Sequence, residues 1–315
     1  MGVASRMRGD ARTITTITTI TTITTITTIT TITLALALAA CGLFDRPLEL
    51  EPEPIDPQAY GWVAEWSEVP LSTSLETRFE VPAGYTRVEV DEHEFAGWLR
   101  RLPLRLDRQV VHDHRGRRRG GSVGVIALDV GDKDLQQCAD TLLRLHGEWL
   151  WSQGRWRELS YHFTSGDLSR FGDWVAGRRL RVEGSKVAQV EVDPVPADRR
   201  ALRAWFEQLF MYAGTRSLAL DTEVVPLDQP IAAGDLLLRA GSPGHVVMVL
   251  DVAEGPQGER IAVIGQGSMP AQELHVIPGP LENAWFRFPA GEDVEVEVPG
   301  WGALSRSSAR RFRIR

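Results

Sequence analysis

The 315-residue sequence lacks the features that mark several special classes of protein. Its two cysteines are too few for a disulfide framework or a four-thiolate zinc site. Its net charge of −7 argues against nucleic-acid binding, which usually requires a broad basic surface. No Walker or dinucleotide-binding glycine signature occurs, so no nucleotide cofactor is predicted. With 29 glycines, 18 prolines and 43% apolar residues, the sequence instead indicates an ordinary folded globular protein.

The first forty residues are typical of an export signal. Three arginines precede a Thr/Ile run that has isoleucine at every third position from 14 to 32. A period of three matches neither a helix nor a strand, which indicates low-complexity sequence. The run is also poorly apolar for a helix that crosses a membrane. The apolar stretch Leu34–Ala40 then completes a secretory signal over residues 1–40.

The segment Leu38-Ala39-Ala40-Cys41 resembles the lipobox of bacterial lipoproteins. The resemblance implies cleavage before Cys41, lipidation of its thiol and attachment to a bacterial membrane, facing the periplasm or the cell surface. A plain signal peptide and a single membrane helix are the alternatives. Residues 41–60 would form the lipid anchor and a stiff acidic tether, because Glu51–Pro57 is rich in proline. After cleavage Cys138 would be the only free thiol.

One α+β domain is predicted over residues 61–290, followed by a C-terminal extension at 291–315. The best helix covers 135–152, where apolar residues hold one face and Gly154 ends the pattern. Further helices are predicted over 94–101 and 199–213. Segments with strand character are 77–81, 86–90, 123–130, 160–164, 235–239, 245–253 and 260–266.

Cys138 is the candidate nucleophile because it lies near the start of the predicted helix 135–152. A thiol is nucleophilic as the thiolate, and a helix N terminus lowers the pKa of a thiol. We therefore expect a depressed pKa if Cys138 is catalytic. The flanking Gln137 and Asp140 are candidates for a binding or oxyanion site, together with the Cys138 amide. The alternative is a buried cysteine that serves only as a small apolar residue.

A nucleophilic cysteine needs a base, usually histidine, and a polar group that orients the imidazole. His146 lies about two turns along the same helix as Cys138 and therefore cannot reach its thiol. His162 falls in a predicted strand. His245 has a better context, since it opens an apolar strand directly after a glycine-rich turn. His275 is the competing base or third member.

Gln266 closes the next predicted strand and is the candidate orienting group. If Glu254 pairs with Glu259 across the intervening turn, Gln266 faces Val247, two residues from His245. The Gln266 amide would then lie diagonally beside the imidazole. A shift of one residue in this register would remove the arrangement.

The order of these segments resembles papain-like cysteine hydrolases of the NlpC and CHAP types, which cut cell-wall peptides. The matching residues are Gln137-Cys138-Ala139-Asp140 at a helix start, Gly244-His245 before an apolar run, and Gln266 at a strand end. The resemblance implies a papain-like α+β core with an antiparallel sheet and a helix that bears the nucleophile. It assigns catalysis to Cys138, His245 and Gln266, implies a peptide or peptidoglycan substrate, and implies neither a metal nor a cofactor.

A longer set of segments resembles a bacterial family known as domain of unknown function 4846. These segments spread over residues 75–288 and are Asp134–Asp140, Glu148–Gly154, His162–Gly166, Tyr212–Thr215, Gly241–His245 and Met269–His275. The sequence departs from the family at Gly265-Gln266-Gly267-Ser268, where Ala-Gln-Ser is expected, although Gln266 is retained. The family name implies no activity.

Three functions remain open on the sequence. The first is a lipid-anchored cysteine amidase or peptidase, in which Cys138 attacks, His245 is the base and Gln266 orients it. The second is a non-catalytic envelope protein that binds a ligand on the same scaffold. The third is an assembly lipoprotein without a reactive pocket. The first is favoured, because a nucleophile, a base and an orienting group follow one another in the required order.

Overall fold

The protein is described by a computed structural model over residues 50–282 and 284–313. Over these ranges the helices are α1 (Leu75–Arg78), α2 (Phe95–Arg100), α3 (Cys138–Ser152), α4 (Phe171–Val175), α5 (Arg199–Tyr212) and α6 (Thr215–Asp221). Short 3-10 turns lie at Gly61–Glu65, Trp156–Glu158 and Arg306–Ser308. No helix within these ranges is long and apolar enough to cross a membrane. The predicted signal and Cys41 lie outside the described residues.

Strands make up most of the regular structure. They are β1 (Ser72–Ser74), β2 (Thr86–Arg87), β3 (Pro103–Arg105), β4 (Val110–His112), β5 (Arg118–Gly121), β6 (Gly124–Val125), β7 (Ser160–His162), β8 (Leu168–Arg170), β9 (Arg178–Glu183), β10 (Lys186–Glu191), β11 (Thr222–Val224), β12 (Leu236–Arg239), β13 (His245–Glu254), β14 (Arg260–Gln266), β15 (His275–Val276), β16 (Trp285–Phe288), β17 (Glu295–Val298), β18 (Gly302–Ser305) and β19 (Ala309–Phe312).

The main sheet is antiparallel and has nine strands. Its order is β11-β19-β12-β13-β14-β15-β6, and β16 and β2 pair with β14 and β13 away from this path. The other strands form two-stranded sheets, β1 with β3, β4 with β5, β7 with β8, β9 with β10 and β17 with β18. The part of the chain predicted as a C-terminal extension therefore supplies β19 to the interior of the main sheet.

Strand β13 is buried on both faces, as the apolar run at residues 246–250 predicts. Val246 and Met248 pack in a core that also contains residues of α3 and α5. Their neighbours Val247 and Val249 point to the opposite face, into a second core with β14, β16 and the β17–β18 hairpin. The residue that opens β13 is thereby held between two packed layers.

A β-bulge after Val249 shifts the pairing of β13 with β14 by one residue. At the turn, Glu254 pairs with Arg260, one residue beyond the predicted partner. At the other end Met248 pairs with Gly265, which is the predicted register. The bulge cancels the error made at the turn, so the two strands approach the candidate site with the pairing that the sequence analysis assumed.

The papain-like α+β core is wrong. The described residues form a large antiparallel sheet and small hairpins, with few helices, and show no papain-like core. The resemblance rested on three short segments, which fix a local order of residues but not the topology between them. Many of the strands that build this architecture have only two to four residues, too few for a period of two to be visible in the sequence.

Two predicted strands also differ from the structure. The sequence predicts a strand at residues 77–81, but the helix α1 extends to Arg78. Ser74 caps the start of this helix by accepting a 3.2 Å hydrogen bond from the Thr77 amide. Residues 123–130 contain only the two-residue strand β6. The long helices and the central strands match their predictions within a few residues, since apolar periodicity is clear over longer segments.

A buried carboxylate at the bulge ties β13 to its neighbours. Asp251 has a fully buried side chain, and its two oxygens accept hydrogen bonds from Arg87 of β2 and Arg100 of α2, each at 2.8 Å. One of the same oxygens also accepts from the Val252 amide at 2.9 Å. The ion pairs therefore hold β2 and α2 on the strand that opens with the candidate site.

We expect Asp251→Asn to lower the free energy of unfolding by about 3–5 kcal/mol, because it leaves two largely buried guanidinium groups without a counter-charge. Denaturation in urea measures this change. Glu254→Gln is the matched control on β13, since Glu254 pairs with Arg260 at 3.0 Å but is 43% exposed. Its effect should stay below about 1 kcal/mol. Equal losses in the two variants would contradict the role of Asp251.

Candidate functional site

Helix α3 begins at Cys138, and its cap is built by the two residues predicted to flank the nucleophile. Gln137 is the N-cap, without a capping hydrogen bond from its side chain among the described residues. The Asp140 carboxyl group reaches back instead and accepts from the Gln137 amide at 3.1 Å. Asp134 accepts from the Gln137 side chain and the Ala271 amide. The predicted binding role of Gln137 and Asp140 stays a prediction.

The thiol of Cys138 is 7% exposed, and its environment opposes ionisation. Burial raises the pKa of this thiol to about 11, and the charge of the Asp140 carboxyl adds to the rise. The backbone amides of Ala139, Val246 and Cys138 itself hydrogen-bond the sulfur and lower the pKa in part. The helix N terminus therefore does not produce the depressed pKa that the sequence analysis expected. The resting group is a neutral thiol.

Asp140 is itself an unusual group for a helix start. Its side chain is buried, and burial raises the pKa of its carboxyl well above the usual range. One carboxyl oxygen accepts from the Gln137 amide, while the other, Oδ1, has no hydrogen-bond partner among the residues described. When it is charged, this carboxyl opposes ionisation of the Cys138 thiol.

His245 and Gln266 are in direct contact. His245 is completely buried, and its Nε2 lies 2.7 Å from Oε1 of Gln266. Its other ring nitrogen, Nδ1, is buried and has no hydrogen-bond partner within the described part of the chain. Burial lowers the pKa of His245 to about 4, although the Gln266 hydrogen bond opposes this change. The imidazole is therefore neutral near pH 7.

His275 lies behind Gln266 and continues the contact. The two residues are paired in register between β14 and β15, and Nε2 of Gln266 lies 3.2 Å from Nε2 of His275. Nδ1 of His275 lies 2.9 Å from the carbonyl oxygen of Glu273. His275, predicted as a competing base or third member, therefore contacts the Gln266 amide, which lies between it and His245.

Trp301 covers the imidazole of His245. The two rings are stacked, with centroids 4.2 Å apart and planes 6° apart. The indole nitrogen donates to Oγ of Ser268 at 3.0 Å, and the Trp301 carbonyl accepts from Arg239 at 2.9 Å. These contacts come from the turn between β17 and β18. Sequence analysis missed Trp301, although Pro299-Gly300 between two alternating segments is a turn signal.

Two glycines allow the elements of the site to approach one another. A Cβ atom on Gly244, directly before His245, would collide with Oγ1 of Thr215 and with nearby backbone. A Cβ atom on Gly267, directly after Gln266, would lie 2.5 Å from Oγ1 of Thr141 in the first turn of α3. Gly267 stands where the family pattern predicts serine, and here it allows the loop to pack closely on the helix that carries Cys138.

A separate cavity of about 610 Å³ lies beside the C-terminal half of α3. Its lining includes the aromatic residues Phe95, Trp149 and Phe312 and the charged Arg311. Neither Cys138 nor any of the residues that contact His245 lines it. Over the described ranges, no group of three or more His, Cys, Asp or Glu residues is arranged to hold a metal ion.

Comparison with known proteins gives one match. The sequence model of the family described as "Domain of unknown function (4846)" matches residues 75–311. No curated protein and no solved structure matches the chain. The matched range contains Cys138, His245, Gln266 and His275 as well as Trp301, so every residue of the candidate site lies within the family domain.

The pH dependence of stability tests the burial of neutral His245. Its pKa is 6.5 when unperturbed and about 4 in the fold, so between these values the unfolded chain binds more protons. Stability is therefore lost as the pH falls below 6.5. From pH 7 to pH 5 the wild type should lose about 2 kcal/mol more than His245→Gln in urea denaturation. His93→Gln removes an exposed histidine as a control. Equal losses in wild type and His245→Gln would contradict this account.

Proposed function

This chain belongs to the family of domain of unknown function 4846, and because that name assigns no activity, we propose from the site that it is a cysteine hydrolase. The proposed substrate contains an amide or peptide bond, with Cys138 as nucleophile, His245 as base and Gln266 as the group that orients the base. The cell wall is the proposed location of the substrate, because it adjoins the membrane to which a bacterial lipoprotein is attached.

The observation that carries this proposal is the unpaired Nδ1 atom of His245. A buried polar atom without a partner costs about 1–3 kcal/mol, so a fold retains one only with compensation. The backbone of the adjoining residue, Val246, is among the groups that lower the pKa of Cys138, and helix α3 packs on strand β13. A neutral imidazole nitrogen with a free lone pair, one residue from a contact to a thiol, is suited to accept the thiol proton.

In the proposed reaction the Cys138 sulfur attacks the carbonyl carbon of the amide while Nδ1 of His245 takes the thiol proton. The tetrahedral intermediate collapses as the imidazolium gives this proton to the leaving nitrogen. The C–N bond breaks, and the acyl group remains on sulfur as a thioester. Water, deprotonated by the same nitrogen, then attacks the thioester. The acid is released, and the sulfur regains a proton.

The raised pKa of Cys138 is compatible with this sequence of steps. A neutral thiol and a neutral imidazole need no stored ion pair, since proton transfer accompanies the attack on the carbonyl. The amides of Ala139 and Val246 that face the sulfur stabilise negative charge there as it develops. Because Cys138 is only 7% exposed, substrate entry requires movement of the residues that cover its thiol.

A second candidate function is non-catalytic binding of a small ligand. It is supported by the cavity beside α3, whose volume of about 610 Å³ lies within the range of small-molecule sites. Phe95, Trp149 and Phe312 give it an aromatic lining. Ligand binding there would not depend on Cys138, so the two candidate functions respond differently to loss of the thiol.

We further propose that the protein is a lipoprotein of the bacterial envelope. The support is the sequence Leu38-Ala39-Ala40-Cys41 after an apolar stretch, followed by a tether rich in proline and acidic residues. Lipidation of Cys41 would leave Cys138 as the only thiol of the mature chain. A membrane anchor of this kind places the domain at an envelope surface without a membrane-spanning helix.

Hydrolysis is tested with the purified full chain, incubated with peptidoglycan fragments and with a library of acetylated peptide amides. Mass spectrometry identifies new amine and carboxylate ends. We expect Cys138→Ala to abolish turnover and His245→Gln to lower kcat/KM by about 10²–10⁴-fold, the usual contribution of a general base. Ser152→Ala, at the other end of α3, is the matched control and should retain full activity.

Two results would overturn the hydrolase proposal. Turnover that persists in Cys138→Ala would exclude this thiol as the nucleophile. Turnover in His245→Gln equal to that of the wild type would exclude His245 as the base. Ligand binding that survives in Cys138→Ala without turnover would instead favour the cavity beside α3.

The lipid anchor is tested by the mass of the N-terminal peptide after expression in a bacterial host. We expect a peptide that begins at Cys41 and carries acyl chains, and we expect Cys41→Ser to abolish both the added mass and membrane association. Cys138→Ser, which leaves the proposed lipidation site intact, serves as the control. An uncleaved N terminus, or cleavage elsewhere without added lipid, would contradict the anchor.

A further inference from the structure

In the hydrogen bonds of the candidate site, the donor and the acceptor of each pair can be assigned by starting from a backbone carbonyl. The carbonyl oxygen of Glu273 lies 2.9 Å from Nδ1 of His275. A carbonyl oxygen can only accept, so Nδ1 of His275 carries the hydrogen. A neutral imidazole has one N–H, and burial lowers the pKa of His275 and keeps it neutral. The other nitrogen of His275, Nε2, is therefore an acceptor.

The orientation of the Gln266 amide follows from this assignment and determines the donor in its contact with His245. Its Nε2 lies 3.2 Å from the acceptor nitrogen of His275 and donates to it. Its Oε1 is then the atom 2.7 Å from Nε2 of His245, and because an amide oxygen only accepts, His245 must donate. The hydrogen of His245 is thus on Nε2, and its lone pair is on Nδ1, the atom that has no partner among the described residues.

We propose that His275 is a positioning residue that fixes the tautomer of His245 through the Gln266 amide. Its consequence for catalysis rests on the proposed function, because only the tautomer with a lone pair on Nδ1 can accept the Cys138 proton there. Without an acceptor at His275, the Gln266 amide can turn over and present its NH₂ group to His245. The hydrogen of His245 would then move to Nδ1, which could no longer act as a base.

The Glu273 carbonyl, from which this series of hydrogen bonds starts, is held rigidly. The Glu273 amide donates to the His112 carbonyl at 3.0 Å, and the Glu273 carboxylate accepts from the His112 amide at 2.8 Å. Arg108 binds the same carboxylate with two guanidinium nitrogens, at 2.7 and 2.5 Å. The carbonyl that orients His275 is therefore fixed to strand β4 and cannot rotate independently.

The test is ¹⁵N NMR of the full chain labelled at histidine, which distinguishes protonated from unprotonated ring nitrogens. In the wild type we expect His275 with its hydrogen on Nδ1 and His245 with its hydrogen on Nε2. His275→Phe keeps a ring but removes the acceptor, and we expect loss of the single Nε2–H tautomer of His245. His275→Gln restores an acceptor oxygen near this position and should recover the wild-type tautomer.

The wild-type spectrum alone overturns the proposal if His275 carries its hydrogen on Nε2 or His245 carries it on Nδ1. An unchanged His245 tautomer in folded His275→Phe would also overturn it. Should His275→Phe not fold, Gln266→Leu interrupts the same series of hydrogen bonds at Gln266. We expect it to cause the same loss of the single Nε2–H tautomer of His245. Because the readout needs no substrate, an inactive protein with the expected tautomers would refute the hydrolase alone.

Discussion

The whole arrangement depends on the burial of strand β13 on both of its faces. Alternate residues of this strand enter two separate cores, so it can neither slide by one residue nor rotate without exposing apolar side chains. The bulge after Val249 and the ion pairs of Asp251 then set its register and its contacts with β2 and α2. His245 opens this fixed strand, and its imidazole therefore has one defined place. Helix α3 packs on the same strand and brings Cys138 to the residue beside it.

Burial determines the chemistry of the site more strongly than the helix N terminus does. The dipole at the N terminus of α3 would favour a thiolate. Burial of Cys138 has the larger, opposite effect and raises the pKa of its thiol. The same desolvation keeps His245 neutral. The outcome is a neutral thiol and a neutral imidazole, and in the proposed hydrolysis the proton would move between them only as a carbonyl is attacked. Hydrogen-bond direction then matters more than charge, since a neutral imidazole is a base at one nitrogen only.

The long elements and the order of the site residues were predictable from the sequence, whereas the topology was not. Helix α3 and strands β13 and β14 have apolar patterns long enough to read, and the contact of His245 with Gln266 follows from their register. The predicted pairing of Glu254 at the turn was wrong by one residue. The β-bulge after Val249, which the sequence does not reveal, shifts the register back, so the predicted pairing near His245 was correct. Strands of two to four residues leave no pattern, so the architecture around the site was mistaken for a papain-like core. Trp301 was missed because a side chain 56 residues from His245 in sequence meets it only through the tertiary fold.

The stacking of Trp301 on His245 has opposite effects on the charged imidazole: it removes water that would solvate the charge, and it offers an aromatic face that attracts the charge. In the resting state the indole excludes water from the imidazole and so contributes to the desolvation that lowers the pKa of His245. If the imidazole takes the thiol proton in the proposed hydrolysis, its charge would lie over the indole face, where a cation–π interaction contributes about 0.5–2 kcal/mol. The interaction is absent while the ring is neutral. In the proposed reaction it would therefore stabilise the charged intermediate relative to the resting state and lower a barrier, whereas a contact equally strong in both states would not.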